Sequence, residues 1–138
     1  MANDKIHGAV VQALKNDGWQ ILREHFNIRY EELEIRIDIA AEHPSILAEK
    51  GGRRILVEIK TFGGRSFIRE LQNAVGQYTI YKNILALTGL DYELFLAIHE
   101  TVYDVAFQQK ATSQIIQLNQ LKLLVVNVDS QEVVQWIR

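Results

Sequence analysis

Apolar residues recur along the chain with two periods, and the switches between them predict its elements. From Asp4 to Asp17, the residues Ile6, Val10, Val11 and Leu14 fall on one stripe of a helix. Asn3 or Asp4 can cap its start, and Gly18 can stop it where a left-handed backbone is favoured. Trp19–Ile28 and Leu33–Ala40 read as strands. In the second, Leu33, Ile35, Ile37 and Ile39 alternate with Glu34, Arg36 and Asp38. Glu42 to Arg54, with Pro44 and Gly51-Gly52, reads mostly as turn, with a short extended piece at Ser45–Ala48. Arg54–Thr61 is the clearest strand, with Ile55, Val57 and Ile59 pointing one way and Leu56, Glu58 and Lys60 the other. Beyond Gly63-Gly64, a long helix from Ser66 to Leu87 carries Phe67, Leu71, Ala74, Val75, Tyr78, Tyr81, Ile84 and Leu85 at helical spacing. Tyr92–Ile98 reads as a buried strand, and Thr101–Phe107 and Ser113–Leu118 as short helices. Leu121–Val128 and Glu132–Ile137 close the chain as two strands around Asp129-Ser130.

The resulting order, α-β-β-β-α-β-(α-α)-β-β, describes a mixed α/β fold with one sheet and helices against it. A length of 138 residues suits one domain over 1–138, and the 48% hydrophobic content supplies its core. The absence of Cys excludes disulfides and thiolate zinc sites. No apolar run approaches the ~20 residues of a membrane span, and the N-terminus lacks a signal-like segment, so a cytoplasmic location without membrane attachment is expected. The net charge of −2 argues against a protein that coats nucleic acid, but it conceals a local bias. Lys50, Arg53, Arg54, Lys60, Arg65 and Arg69 are accompanied over that stretch by one acid, Glu58. Such a segment provides the positive field that a phosphate-handling site needs, although on charge alone a solvated surface hairpin is the commoner explanation.

Three residues in the strands carry the candidate chemistry. Asp38 is an acid inside a β-branched strand, and Glu58 and Lys60 follow in the next. Two carboxylates supply oxygen ligands suited to a hard divalent cation, Mg²⁺ or Mn²⁺. Period-2 geometry places Glu58 and Lys60 on one face, ~6.6 Å apart along the strand, so that the carboxylate can reach a metal while the ammonium reaches a phosphate or a water. With 17 acids in the chain, roughly one acid-x-Lys triplet arises by chance, so context must carry the weight. That context includes Gln77, a polar residue on the apolar stripe of the long helix, projecting together with Tyr81 one turn later. His25, His43 and His99 lack zinc-site spacing, and no phosphate loop or nucleophile elbow is present.

Asp38, then Glu58-Ile59-Lys60, then Gln77-x-x-x-Tyr81 on a helix resembles the PD-(D/E)xK nuclease superfamily, its RecB-like branch in particular. Over nearly the whole chain the sequence more closely resembles the cyanobacterial XisH family, the controlling factors for fdxN element excision. The stretches that carry this are Asp4-x-x-His7, Ala13-Leu14-x-x-Asp17-Gly18-Trp19, Val57-Glu58-Ile59-Lys60, Gly76-Gln77-Tyr78, Asn119-Gln120-Leu121 and Trp136-Ile137. The resemblance implies a restriction-endonuclease-like fold, an α-β-β-β-α-β core plus C-terminal strands. It implies metal ligation by Asp38, Glu58 and the carbonyl of Ile59, with Lys60 aligning the water or stabilising the phosphate. Gln77 and Tyr81 would brace the site or touch the DNA backbone, and His7, Arg53, Arg54 and Arg65 are candidate phosphate contacts. Two departures from the superfamily pattern stand out: Ile37 occupies the position of its Pro, and the first helix offers His7 rather than an interior acid. The loss of that ligand favours one metal over two.

The expected function is control of DNA excision or recombination, with DNA as partner, through a Mg²⁺-dependent endonuclease site. The alternative is a catalytically inactive accessory protein acting through an XisI-like protein or a site-specific recombinase. Under either, the apolar C-terminal strands are expected to form an edge that pairs with a second copy, giving a homodimer.

Overall fold

A computed structural model describes residues 2–44 and 53–138. The elements are α1 (Ala2–Asn16), β1 (Gln20–Tyr30), β2 (Leu33–His43), β3 (Arg53–Ile59), α2 (Phe67–Thr88), β4 (Glu93–His99), α3 (Glu100–Val105), a 3-10 turn (Ala106–Gln108), α4 (Lys110–Leu118), β5 (Leu123–Asn127) and β6 (Glu132–Ile137). The strands form a six-stranded sheet in sequence order, β1-β2-β3-β4-β5-β6. β3, β4 and β5 run parallel, joined by helical crossovers, and antiparallel strands flank them on both sides. The fold is therefore the mixed α/β sheet that the hydrophobic pattern predicts.

Two apolar clusters, one on each face, hold the layers together. α1 packs Ile6, Ala9, Val10, Ala13 and Leu14 against Ile55, Val57, Phe95, Ala97, Leu124 and Val126. On the other face, α2 and α4 place Leu71, Ala74, Tyr78, Tyr81, Ile84 and Ile116 over Leu56, Leu94, Leu96, Ile98 and Leu123. The central strands are buried on both faces, which is why β4 and β5 read as continuous apolar runs rather than alternating ones. α1 ends as the sequence dictates: Gly18 at φ +94° takes the left-handed position, and the Trp19 N–H donates back to the Leu14 carbonyl at 2.9 Å. A Cβ at Gly18 would lie 2.8 Å from His43 Nε2, so a larger residue would have to displace that ring as well as adopt the left-handed backbone.

The structure corrects the sequence pattern in several places. α1 begins at Ala2, so Asn3 and Asp4 lie within the helix rather than capping it. β2 continues through His43, because Glu42 and His43 pair with Arg54 and Arg53 across the antiparallel ladder; the rest of the expected turn, at 45–52, lies outside the described residues. β2 also changes face. Ile35 and Ile37 pack with the α2-side cluster, whereas Ile39 and Ala41 pack with the α1 side, so the side-chain alternation slips at Asp38. Finally, β5 lies between β4 and β6, so only Glu132–Ile137 presents a free strand edge at the C-terminal end.

Phe95 is fully buried and meets the Trp136 ring edge-on at 4.9 Å. Phe95→Ala is expected to lower unfolding free energy by about 3–5 kcal/mol in urea titrations. Leu118→Ala, at a side chain that is 83% exposed, should change it by less than about 0.5 kcal/mol.

Candidate functional site

The site lies where β2 and β3 part. The register that pairs Ile39 with Val57 would next bring Asp38 opposite Glu58, but there side chains take over from the ladder. The Ile59 N–H donates to Asp38 Oδ2 at 2.8 Å, and the Asp38 N–H donates to Glu58 Oε1 at 3.3 Å. β3 meanwhile stays attached to β4, with the Lys60 N–H donating to the Ala97 carbonyl at 3.0 Å. Each acid is therefore held by the backbone of the other's strand, and both carboxyls point into an open pocket of about 700 Å³. Ile6, His7 and Gly8 of α1, Glu24 and His25 of β1, and Ile59, Lys60 and Thr61 complete its lining.

Electrostatics in this pocket is unfavourable for two bare carboxylates. Glu58 is only 9% exposed. Burial first, then the neighbouring charge of Asp38, push its pKa up to about 8; Lys60, with Nζ 3.8 Å from Oε2, offsets only part of this. A divalent cation between the two groups would supply the missing positive charge.

Gln77 and Tyr81 do not line this pocket. They border a neighbouring cleft on the α2 side, which shares Lys60 with it. Gln77 Nε2 donates to the Tyr81 hydroxyl at 2.8 Å, and that hydroxyl donates to the Arg36 carbonyl at 3.4 Å, two residues before Asp38. Burial, followed by the charge of Glu58, raises the Tyr81 pKa, so the phenol keeps the proton that this bond needs. The pair thus ties α2 to β2 beside the acids. Gln77 Oε1 is buried without a partner.

Among the described residues, the basic run does not form one patch. Arg53 and Arg54 stand at the opposite end of β3, ~17 and ~13 Å from Glu58 by strand rise, and their charges are taken up by Glu93 at 2.7 Å and Glu42 at 3.3 Å. They are not contacts for a phosphate in this pocket. Arg65 is exposed in the loop before α2 and does not line the pocket. That loop is shaped by Phe62, at φ +53°, rather than by its glycines; Phe62 packs on Phe67 and Phe107. The Gly64 N–H donates to the Glu70 carboxylate at 3.1 and 3.2 Å, where a Cβ would come within 2.9 Å of Oε1.

His7 does line the pocket, bonded through Nε2 to Glu24 Oε1 at 2.7 Å, and its ring stacks on His25 at 5.6 Å. Glu24 and His25 carry no sequence signal: they look like ordinary polar positions of an exposed strand. Only the pairing of Glu24 with Ile39 and Phe26 with Ile37 reveals that His25 falls opposite Asp38, with Glu24 beside it.

The raised Glu58 pKa has a direct consequence for stability. Between pH 5 and 8 the unfolded carboxyl, near 4.5, is ionised while the folded one still holds its proton, so folding binds protons there and stability falls as pH rises. In metal-free buffer, the unfolding free energy from urea titrations should fall across this range by an amount on the order of a few kcal/mol, and Glu58→Gln should flatten the decline. A native profile that is level from pH 5 to 8 would contradict this account of the acid pair.

The comparisons with known proteins agree on one relationship. The XisH protein family model matches residues 1–134. A crystal structure of an XisH family protein from Nostoc punctiforme PCC 73102 superposes with a TM-score of 0.87 at 34% identity, covering 98% of this chain and 100% of the other. An fdxN element excision controlling factor protein from Anabaena variabilis does so with a TM-score of 0.86 at 36% identity, covering 98% and 99%. Among curated proteins, none matches. No helix among the described residues is long and apolar enough to cross a membrane. With the family model matching nearly all of the chain and the fold shared with both solved relatives, the chain belongs to the XisH family.

Proposed function

We propose that this chain hydrolyses DNA phosphodiesters at the pocket of Asp38, Glu58 and Lys60, with Mg²⁺ or Mn²⁺ as cofactor. It would do so in the control of DNA element excision that the name of the Anabaena variabilis relative describes. One observation carries the reading: two carboxyls and an amine share an open pocket in which the acids cannot both be ionised comfortably without an added cation.

The residues fit such an ion. Among the described residues no group of three or more His, Asp or Glu side chains forms a ready-made cage. Mg²⁺ commonly uses one or two carboxylates and fills its remaining positions with water and phosphate oxygens. Asp38 and Glu58 would hold it, with the Ile59 carbonyl as a further oxygen. When bound, the ion polarises a phosphoryl oxygen and lowers the pKa of water.

Lys60 has two tasks open to its ammonium, orienting the attacking water and offsetting charge on the phosphate. Asp38, fixed by the Ile59 N–H, keeps its carboxylate oriented, so no reorganisation is needed when substrate arrives. Tyr81 and Gln77 hold β2 against α2 from the far side of Lys60. They act as positioning residues for the Asp38 strand.

A second reading keeps the fold but moves its action to a partner. The free edge of β6, where Val134 is 45% exposed, supports it. An unpaired strand edge of this kind can accept a second copy, an XisI-like protein or a recombinase. Dimers in analytical ultracentrifugation at micromolar concentration, lost on Val134→Lys, are the expected result under this reading.

Mn²⁺ titration followed by calorimetry, and cleavage assays on linear, nicked, branched and single-stranded DNA, separate the two. The hydrolytic reading expects saturable Mn²⁺ binding and metal-dependent cleavage. Asp38→Ala and Glu58→Ala should lose both, and Lys60→Ala should retain binding while cleaving at least about 100-fold more slowly. Protein that cuts none of these substrates with either metal, and whose Asp38→Ala variant still supports excision in cells, would establish the accessory role.

A further inference from the structure

α2 carries in its interior a glycine that the fold does not require. Gly76 lies near the middle of Phe67–Thr88, on the exposed side of the helix. Glycine weakens a helix relative to alanine, because it gives up more backbone freedom on folding. A Cβ at this position would meet nothing within 4 Å, and the backbone is ordinary right-handed helix, so neither crowding nor a turn demands its absence. The missing side chain leaves a notch. Gln72, Asn73 and Ile80, its neighbours one turn before and one turn after, stand around it, and Ile80 is 52% exposed.

The notch opens into the α2-side cleft of about 570 Å³, which shares Lys60 with the pocket of the two acids. A strand with a phosphate beside Lys60 therefore already borders it. The surface suits such a strand. From Leu71 to Leu90 the chain has no acid and Lys82 is its single charge, although acids make up 17 of the 138 residues. A polyanion meets no repulsion along this stretch. The amides of Gln72 and Asn73 offer donors and acceptors to phosphate oxygens and base edges alike, and Ile80 offers apolar surface to a sugar or a base.

We propose that the notch at Gly76 seats the DNA strand next to the scissile phosphate, with the sugar-phosphate backbone packed directly on the helix. The assignment rests on the hydrolytic reading above for the place of that phosphate. Close approach to a backbone is what glycine permits and any side chain obstructs. The helix thus gives up some of its own stability for contact with a ligand. Gly76 acts on binding and not on the reacting atoms, and a side chain placed there separates the two properties: it strengthens the fold and weakens the complex.

Thermal melting and DNA affinity are measured side by side. Affinity is read from the fluorescence anisotropy of a labelled single strand and of its duplex, with Ca²⁺ replacing Mg²⁺ so that binding is followed apart from cleavage. Gly76→Ala should raise the melting temperature by about 2–4 °C. It should also weaken binding of the better-bound DNA form by about threefold, and Gly76→Leu should do so by about tenfold or more while melting no lower than native. Leu87→Ala, on the same helix but outside the cleft, should bind as native does. Full affinity in Gly76→Leu overturns the proposal, and so does an equal loss in Leu87→Ala. Full affinity combined with a native dimer that Gly76→Leu breaks, seen by analytical ultracentrifugation, overturns it in favour of a second copy at the notch. DNA that is bound through Gly76 but cut with neither Mg²⁺ nor Mn²⁺ supports the seat and removes the hydrolytic reading. A native protein that binds neither DNA form removes both.

Discussion

Two hydrogen bonds at the parting of β2 and β3 hold the pocket in being. The Ile59 amide grips Asp38, and the Asp38 amide grips Glu58. In a regular ladder those amides would bond to carbonyls across the strand, and the carboxyls would be free to turn towards water. Crossing the bonds satisfies both backbone donors with side chains and leaves two acids close together at a buried sheet end. The arrangement works against local stability, as the elevated pKa of Glu58 indicates. What compensates is the double-sided burial of β3, where Ile55, Leu56 and Val57 are sealed between α1 and α2. A strand anchored so firmly can carry a poorly solvated acid at its end.

Much of this was legible in the chain before any coordinates. Helical and strand periods placed all six strands and the long helix within a few residues, because each buries a face or a continuous apolar run. Asp38, Glu58 and Lys60 stood out as charged residues embedded in β-branched strands, and Gln77 as a polar residue where an apolar one was due. The hidden part was everything set by register. Glu24 and His25 entered the pocket only through their pairing opposite Ile39, Asp38 and Ile37, and a strand's partner offset leaves no mark on its own sequence. The change of face at Asp38 was masked because Ile35, Ile37 and Ile39 are apolar on either side of the slip.

Charge was the least transferable feature. Six basic residues within twenty look like one patch when written in a line. A strand separates its ends by several ångströms per residue, and Arg53 and Arg54 end up at the far end of the sheet from the acids. There Glu93 accepts from Arg53, Lys122 and Arg138 together, joining β3, β4, the start of β5 and the C-terminus through one carboxylate. Positive charge that suggested a phosphate site serves instead as a clasp.

The order of the strands has a consequence for how the molecule divides its labour. Because neighbours in the sheet are neighbours in the chain, every side chain of the pocket comes from the stretch ending at Thr61. The later half contributes the buttress behind it and the outer margin at Glu132–Ile137, with four strands between it and β1. A lineage could therefore lengthen or recharge that outer margin without touching a single group that lines the pocket.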